Sequence, residues 1–502
     1  MTRYDRLKRW VAPGPRRVTP VAGGRPLRPD AGSRPHGLIS LLATLVGEEG
    51  RATMRELTTL AWPITAAMFG ETALGLCDAK LVGALGAAAL GGVGMAGILL
   101  FLGYAMIFGL MRGVKVRTAY AVGEGRPGDA VRYAHAGALL GAAAGAGIWA
   151  VSRDVTPLLH LLRLEESMVP AARDFVAARS WGAVGTCAMA ALIQYLQGVG
   201  DSRSPMLVGV AGNVVNAVLA WSLIHGRLGL PALGVRGAGY ATATTEMFEL
   251  AALVLFVRAR ARRYPAPALR LTPALREVAS LGVPTGLHFV LESMAFTTFV
   301  AILGSFGAAQ MAAHHLAFST MRASFLPGVA VAEAASVLVA RSLGERRLDE
   351  ADRVTRASLA LGVAFMTLCG VVFALFGATL AGAFTADAEV IRVARRLFLV
   401  AAVFQTFDAV NMILRGALRG AKDVRWVAVV GTTVAWVCIP TAAFLLGRVL
   451  GWGAVGGWIG FVFETTVGAA LLWRRWSRGP WRAAFGEGAS RLGPAETPVL
   501  AR

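Results

Sequence analysis

LAWPITAAMFGETALGLCDAKLVGALG at residues 60–86 and LGVPTGLHFVLESMAFTTFVAILGSFG at residues 281–307 are one pattern written twice, 221 positions apart. Each carries a proline in its fourth place (Pro63, Pro284), a glutamate eight residues later (Glu71, Glu292) and a glycine-closed end. Each is apolar for longer than the ~20 residues a helix needs to cross a bilayer. The offset recurs elsewhere. Gly123-Glu124-Gly125-Arg126 matches Gly344-Glu345-Arg346-Arg347, LQGVGD (196–201) matches LRGAKD (418–423), and Gly234-Val235-Arg236-Gly237 echoes Gly453-Ala454-Val455-Gly456. A near-constant offset across separate blocks marks a duplicated chain.

Working outward, apolar segments fall at 57–82, 92–116, 133–152, 174–198, 206–225 and 237–257, then at 276–303, 312–340, 357–380, 395–418, 426–447 and 453–473. The expected fold is therefore all-α and polytopic, with twelve transmembrane helices in two six-helix halves. Six is even, so both halves enter the membrane from the same side, as a parallel repeat about an axis along the membrane normal. The expected division is a disordered basic tail over 1–54, an N-lobe over 55–257, a cytoplasmic linker over 258–274, a C-lobe over 275–475 and a cytoplasmic tail over 476–502. Met54 opens MRELTTLAWP, so a misassigned start codon would explain the N-terminal tail. Residues 38–46 are too short to span and read as a surface-lying segment.

Composition agrees. The chain is 56% hydrophobic and only 16% charged, whereas a soluble protein carries roughly 25% charge. The net charge of +20 lies in short clusters between apolar runs, without the aromatics or spacing of a nucleic-acid module. With the N-terminus inside, the segments on its side hold 38 Lys or Arg and the opposite loops 9. That asymmetry predicts both termini on the cytoplasmic side, and the expected location is a bacterial inner membrane. The four cysteines sit inside apolar runs and read as small hydrophobes. No GxxxxGK[ST], HExxH or Ser/His/Asp arrangement is present, so no hydrolytic engine is expected and transport energy must come from a gradient.

A carboxylate inside a span costs at least ~2.5–3.5 kcal/mol on insertion scales, so it marks function by default. Glu71 and Glu292 occupy equivalent places in the two halves and are expected to face a central cleft; a protonated glutamate bonded between helices is the alternative. Asp78 lies seven residues beyond Glu71 on the same helical face, with Lys80 as its alternative partner. Asp408 in FQTFDAVNMILRGALRG stands above Asn411 and Arg415, and an ion pair with Arg415 is its alternative reading. Glu333 and Arg322 share the eighth span, where either could pair with other helices or line the pathway. Glu246, Glu249 and Glu464 are expected to be structural. His288 precedes Glu292 by four residues and is expected to tune it; two ligands alone are weak grounds for a metal. His314-His315 is expected at the interface.

These stretches resemble the multidrug and toxic compound extrusion (MATE) family over about 55–475. The carriers are LAWPITAAMFGETALGLCDAKLVGALGAAALGG, LQGVGDSRSPM followed by Asn213 and Asn216, LGVPTGLHFVLESMAFTTFVAILGSFGAAQMAAHHLAF, LPGVAVAEAASVLVARSLGERR and FQTFDAVNMILRGALRGAKD. The resemblance implies two lobes forming a V, and export of organic cations or drugs in exchange for H+ or Na+ without a cofactor. It places Asp78, Glu292 and Asp408 as the coupling-cation or substrate carboxylates, with a Na+ site at Glu292 and Asp408 one form this could take. Asn213 or Asn216 would stand beside Asp78, and His288, Glu333 and Asn411 would be accessory. Where one family branch has a fifth-helix carboxylate, this chain has Ala220, and Lys80, Glu71 and Glu333 stand where uncharged residues are expected. The expected partners are cationic or amphipathic small molecules and membrane lipids, with the chain a monomer. A lipid-linked precursor flippase of the same superfamily is the alternative, disfavoured by the acidity of the presumed cleft. A membrane enzyme lacks a catalytic constellation, and duplicated lobes favour alternating access over a channel.

Overall fold

The computed structural model describes residues 47–162, 164–262 and 271–483. Among these the chain is helical throughout, without strands. The helices are α1 (Glu48–Gly83), α2 (Ala87–Gly123), α3 (Pro127–Val151), the short α4 (Thr156–Leu161), α5 (Val169–Ser180), α6 (Ala183–Gly198), α7 (Arg203–His225), α8 (Val235–Ala261), α9 (Leu271–Gly304), α10 (Ala308–Gly344), α11 (Leu348–Gly382), α12 (Ala388–Gly420), α13 (Val424–Ala442) and α14 (Gly453–Arg478). Eleven spans are long and apolar enough to cross a bilayer, and α5 with α6, bent by 56°, supplies a twelfth.

Several boundaries differ from expectation. Residues 1–46, which include the 38–46 segment, residues 263–270 of the linker and residues 484–502 of the C-terminal tail lie outside the described residues. Residues 48–54, placed in the tail, are instead the first turns of α1, where Glu48 and Glu49 complement the positive end of the helix dipole. The linker's first residues extend α8 to Ala261, and α9 starts at Leu271. After Pro440, which cannot donate to the helical ladder, the chain loosens into a π-helical turn over Ala443–Val449.

The duplication is visible in the backbone. Left-handed or otherwise positive φ occurs at Gly86 and Gly307 (+112° and +102°), Gly125 and Arg346, Gly200 and Lys422, and Gly234 and Gly453. Each pair marks the same turn in the two halves. Glycine holds this conformation without steric penalty; the second half tolerates Arg346 and Lys422 in two of the turns.

Helices α1–α8 form the N-lobe around an apolar core from α2, α3, α5, α6 and α8. Helices α9–α14 form the C-lobe around Phe299, Phe373, Phe398, Phe404 and Trp458. His314, expected at the interface, is buried there and accepts a hydrogen bond from Trp458 Nε1 at 3.1 Å; His315 is exposed. A separate apolar cluster from α1, α2, α9, α10, α12 and α14 joins the lobes. Across this seam α2 packs on α9, and α10 packs on both α1 and α2. The second half's counterparts of α1 and α2 are α9 and α10, so this is the pattern of a pseudo-twofold axis running between α2 and α10. One close approach is Gly109 against Gly286, where a Cβ on Gly109 would lie 2.4 Å from the Gly286 Cα. The seam lies toward the end of the bundle that holds the N-terminus of α1 and the C-termini of α2, α10 and α14. That end, called the basic end below, carries Arg126, Arg341, Arg346 and Arg347.

A candidate cation and substrate site at the lobe boundary

Four polar positions of α12 fall at spacings of three and four residues, Asp408, Asn411, Arg415 and Arg419, and so lie on one helical face. This face borders a cavity of about 320 Å³. α9 contributes His288 and Glu292, α10 Glu333, and α14 Glu464, while Met68 and Arg112 reach in from the N-lobe. The cavity thus brings Glu292, Asp408, His288, Glu333 and Asn411 to one place.

The ion pairing inside it decides between the readings of Asp408. Arg415 does not pair with Asp408. Its guanidinium donates to Glu292 Oε1 at 2.5 Å, to Glu464 Oε1 at 2.7 Å and to Asn411 Oδ1 at 2.9 Å. Asn411 in turn donates to Glu464 at 3.2 Å. His288 Nε2 lies 3.5 Å from Glu292 Oε2, and its other ring nitrogen meets Thr432 Oγ1 at 3.1 Å. Glu464, expected to be structural only, is therefore part of the cavity wall. Asp408 is left with no Lys or Arg nitrogen within 4 Å among the described residues.

Glu333 is held on three sides: by Arg112 at 3.0 Å, by Lys115 and by Arg419 at 3.2 Å. Lys115 also donates to Gln197 Oε1 at 3.3 Å. Arg112 and Lys115, which sequence reasoning did not single out, lie within α2, and Lys115 is only 1% exposed. Charged residues three apart inside an apolar run are the signal that would have found them.

In the N-lobe, Asn216, fully buried, donates from Nδ2 to both oxygens of Asp78 at 3.2 and 3.4 Å. Asn216 is one of the two asparagines that the resemblance sets beside Asp78, and Lys80, the alternative partner, is exposed. Asn213 lies against Gly70 on α1. Glu246 is paired with Arg179 at 2.5 Å and accepts from Thr186. Glu249 covers Gly212 on α7. Glu71 is exposed and within electrostatic reach of Glu246 in its own lobe and Arg322 in the other. Asp78, Asn213, Asn216 and Glu71 therefore belong to the N-lobe and do not wall the C-lobe cavity.

Comparison with known proteins agrees with this architecture. The chain is 26% identical over 437 residues to multidrug resistance protein MdtK of Proteus mirabilis, covering 84% of this chain and 94% of that protein. It is 29% identical over 425 residues to multidrug resistance protein NorM of Burkholderia vietnamiensis, covering 83% and 92%. Among solved structures, the Vibrio cholerae MATE transporter VcmN in the bent form superposes with a TM-score of 0.79 at 18% identity, covering 86% of this chain and 98% of VcmN. A MOP superfamily transporter from Pyrococcus furiosus, described as having a binding pocket of reverse polarity, superposes with a TM-score of 0.78 at 20% identity, covering 88% and 98%. The MatE family model matches residues 63–222 and 284–444, one copy in each lobe. With two copies of the family's domain over most of its length, and two lobes that repeat each other in space, the chain belongs to the MatE family of transporters.

Proposed function

We propose that the chain is a secondary active efflux transporter that exports organic cations or drugs in exchange for a cation, with Asp408 as the principal coupling carboxylate and Glu292 beside it. The observation that carries this is the pairing in the cavity. Arg415 is taken by Glu292 and Glu464, and Arg112 and Arg419 are taken by Glu333. Asp408 is the cavity acid that no Lys or Arg nitrogen approaches within 4 Å among the described residues. A carboxylate at this depth is stabilised by gaining a positive ion or a proton, and a cationic substrate and a coupling cation would compete for it. Such competition supplies the different affinities for two states that any ligand-driven conformational change requires.

The coupling ion in this reading is H+. Both Glu292 oxygens already face Arg415 and His288. A hard metal cation prefers several oxygen ligands, whereas a proton needs one carboxylate. The seam at the basic end supports a cleft open toward the opposite, outer side, with both termini cytoplasmic. In that state a proton reaching Asp408 weakens the hold on a bound cation, which leaves outward. The flippase reading is weakened by charge: three arginines on the cavity wall face four carboxylates, with no positive surplus for a pyrophosphate.

The test is drug efflux from cells or vesicles carrying Asp408→Asn or Glu292→Gln. Asp408→Asn is expected to abolish coupled efflux and Glu292→Gln to reduce it. Full transport by both would remove these residues from the mechanism. Driving vesicles with a pH gradient and then with a Na+ gradient identifies the ion.

A further inference from the structure

Arg112 and Glu333 occupy the same position in the two repeats, 221 residues apart, as Pro63 and Pro284 do. Residues at equivalent positions of twofold-related halves can touch only where the axis passes between them. They do touch, at 3.0 Å, so this ion pair stands on the pseudo-twofold axis. Around it, Lys115 joins Arg112 from the N-lobe and Arg419 joins Glu333 from the C-lobe. Glu333 is 6% exposed and Lys115 1%, and the cluster lies within the seam at the basic end. One carboxylate held by three cations, two of them from the opposite lobe, is a contact the lobes cannot keep if they part at this end.

We infer that Glu333 is the positioning residue of the closed seam, a latch whose ion pairs to Arg112 and Lys115 hold the lobes together at the basic end and must break for the cavity to open there. The latch is joined to the cation site. Arg419 sits one helical turn beyond Arg415 on α12, both guanidiniums border the same cavity, and Arg415 holds Glu292. Loss of a counter-charge at Glu292 or Asp408 is therefore felt along one rigid helix by the group that helps anchor Glu333. Removing one partner of a buried pair is costly because the remaining charge stays desolvated. The seam then gains by opening and admitting water. This inference holds whichever ion drives transport.

The experiment measures seam opening directly. Ser336, 2% exposed and bordering the small gap among Arg112, Lys115, Glu333 and Arg419, is replaced by cysteine in full-length protein lacking its four native cysteines. Its reaction rate with N-ethylmaleimide is then followed in proteoliposomes. Glu333→Gln is expected to raise the rate roughly tenfold or more, the scale of a population shift toward the open seam, while Glu333→Asp keeps it near the parent value. Should Glu333→Gln fail to fold, Lys115→Met retains two of the three cations and is expected to raise the rate in the same direction. An unchanged rate in the folded variant overturns the latch. The readout needs no transported substrate, so full efflux by Asp408→Asn and Glu292→Gln would remove the coupling site and leave this result standing.

Discussion

Replacing Arg415 by Gln would leave Glu292 and Glu464 inside the C-lobe without the guanidinium that now contacts both. Breaking a buried ion pair from one side costs about 3–5 kcal/mol, so Arg415→Gln is expected to lower the melting temperature of the purified protein markedly. Adding Glu464→Gln removes one stranded carboxylate and is expected to recover part of the loss, a non-additivity that thermal melts of both variants would measure. Equal melting of Arg415→Gln and wild type would show that the pairs contribute nothing. At this scale the sequence exposed the acids well, because a charge in an apolar run is conspicuous in one dimension. Their partners were less legible. Arg415 is four residues from Asn411 and seven from Asp408, which left an ion pair with Asp408 open as an alternative, but the approach of α9 and α14 delivers it to Glu292 and Glu464.

At the scale of the element, the seam depends on how closely α2 can approach α9. Without side chains at Gly109 and Gly286 the two backbones meet, in the manner of small-residue helix interfaces in membranes. Gly109→Val would drive a branched side chain into the Gly286 backbone. Overpacking of this kind costs about 1–3 kcal/mol or more, expected here as lower yield of folded protein and a lower melting temperature. Gly147 in α3 has nothing within 4 Å of its missing Cβ. Gly147→Ala is therefore expected to be neutral or slightly stabilising, by up to about 1 kcal/mol from helix propensity. If Gly109→Val and Gly147→Ala melt alike, close approach is not what the seam requires. The helices themselves were readable from apolar length; which of their glycines touch another backbone was not, since for Gly109 that depends on a neighbour 177 residues away.

For the whole molecule, the basic end carries the charge asymmetry that orients membrane proteins. A cysteine at Arg346, in the turn after α10, is expected to resist a membrane-impermeant maleimide in intact cells. One at Thr385, in the opposite-end turn before α12, is expected to react. The reverse pattern would invert the proposed orientation and, with it, the direction in which the cleft opens.

The number of spans, the duplication and its offset and the intramembrane acids were all determined by the sequence alone. Each is a one-dimensional regularity: a run long enough to cross a bilayer, a block repeated at one interval, a charge where none is affordable. Only the tertiary structure decided which acid is left without a cation, that Lys115 and Arg112 neutralise Glu333 of the other lobe, and that Glu464 walls the cavity. The physical reason is that inside a bilayer a charge is settled by whichever opposite charge its neighbouring helices present, and those neighbours are chosen by the packing of two lobes about an axis.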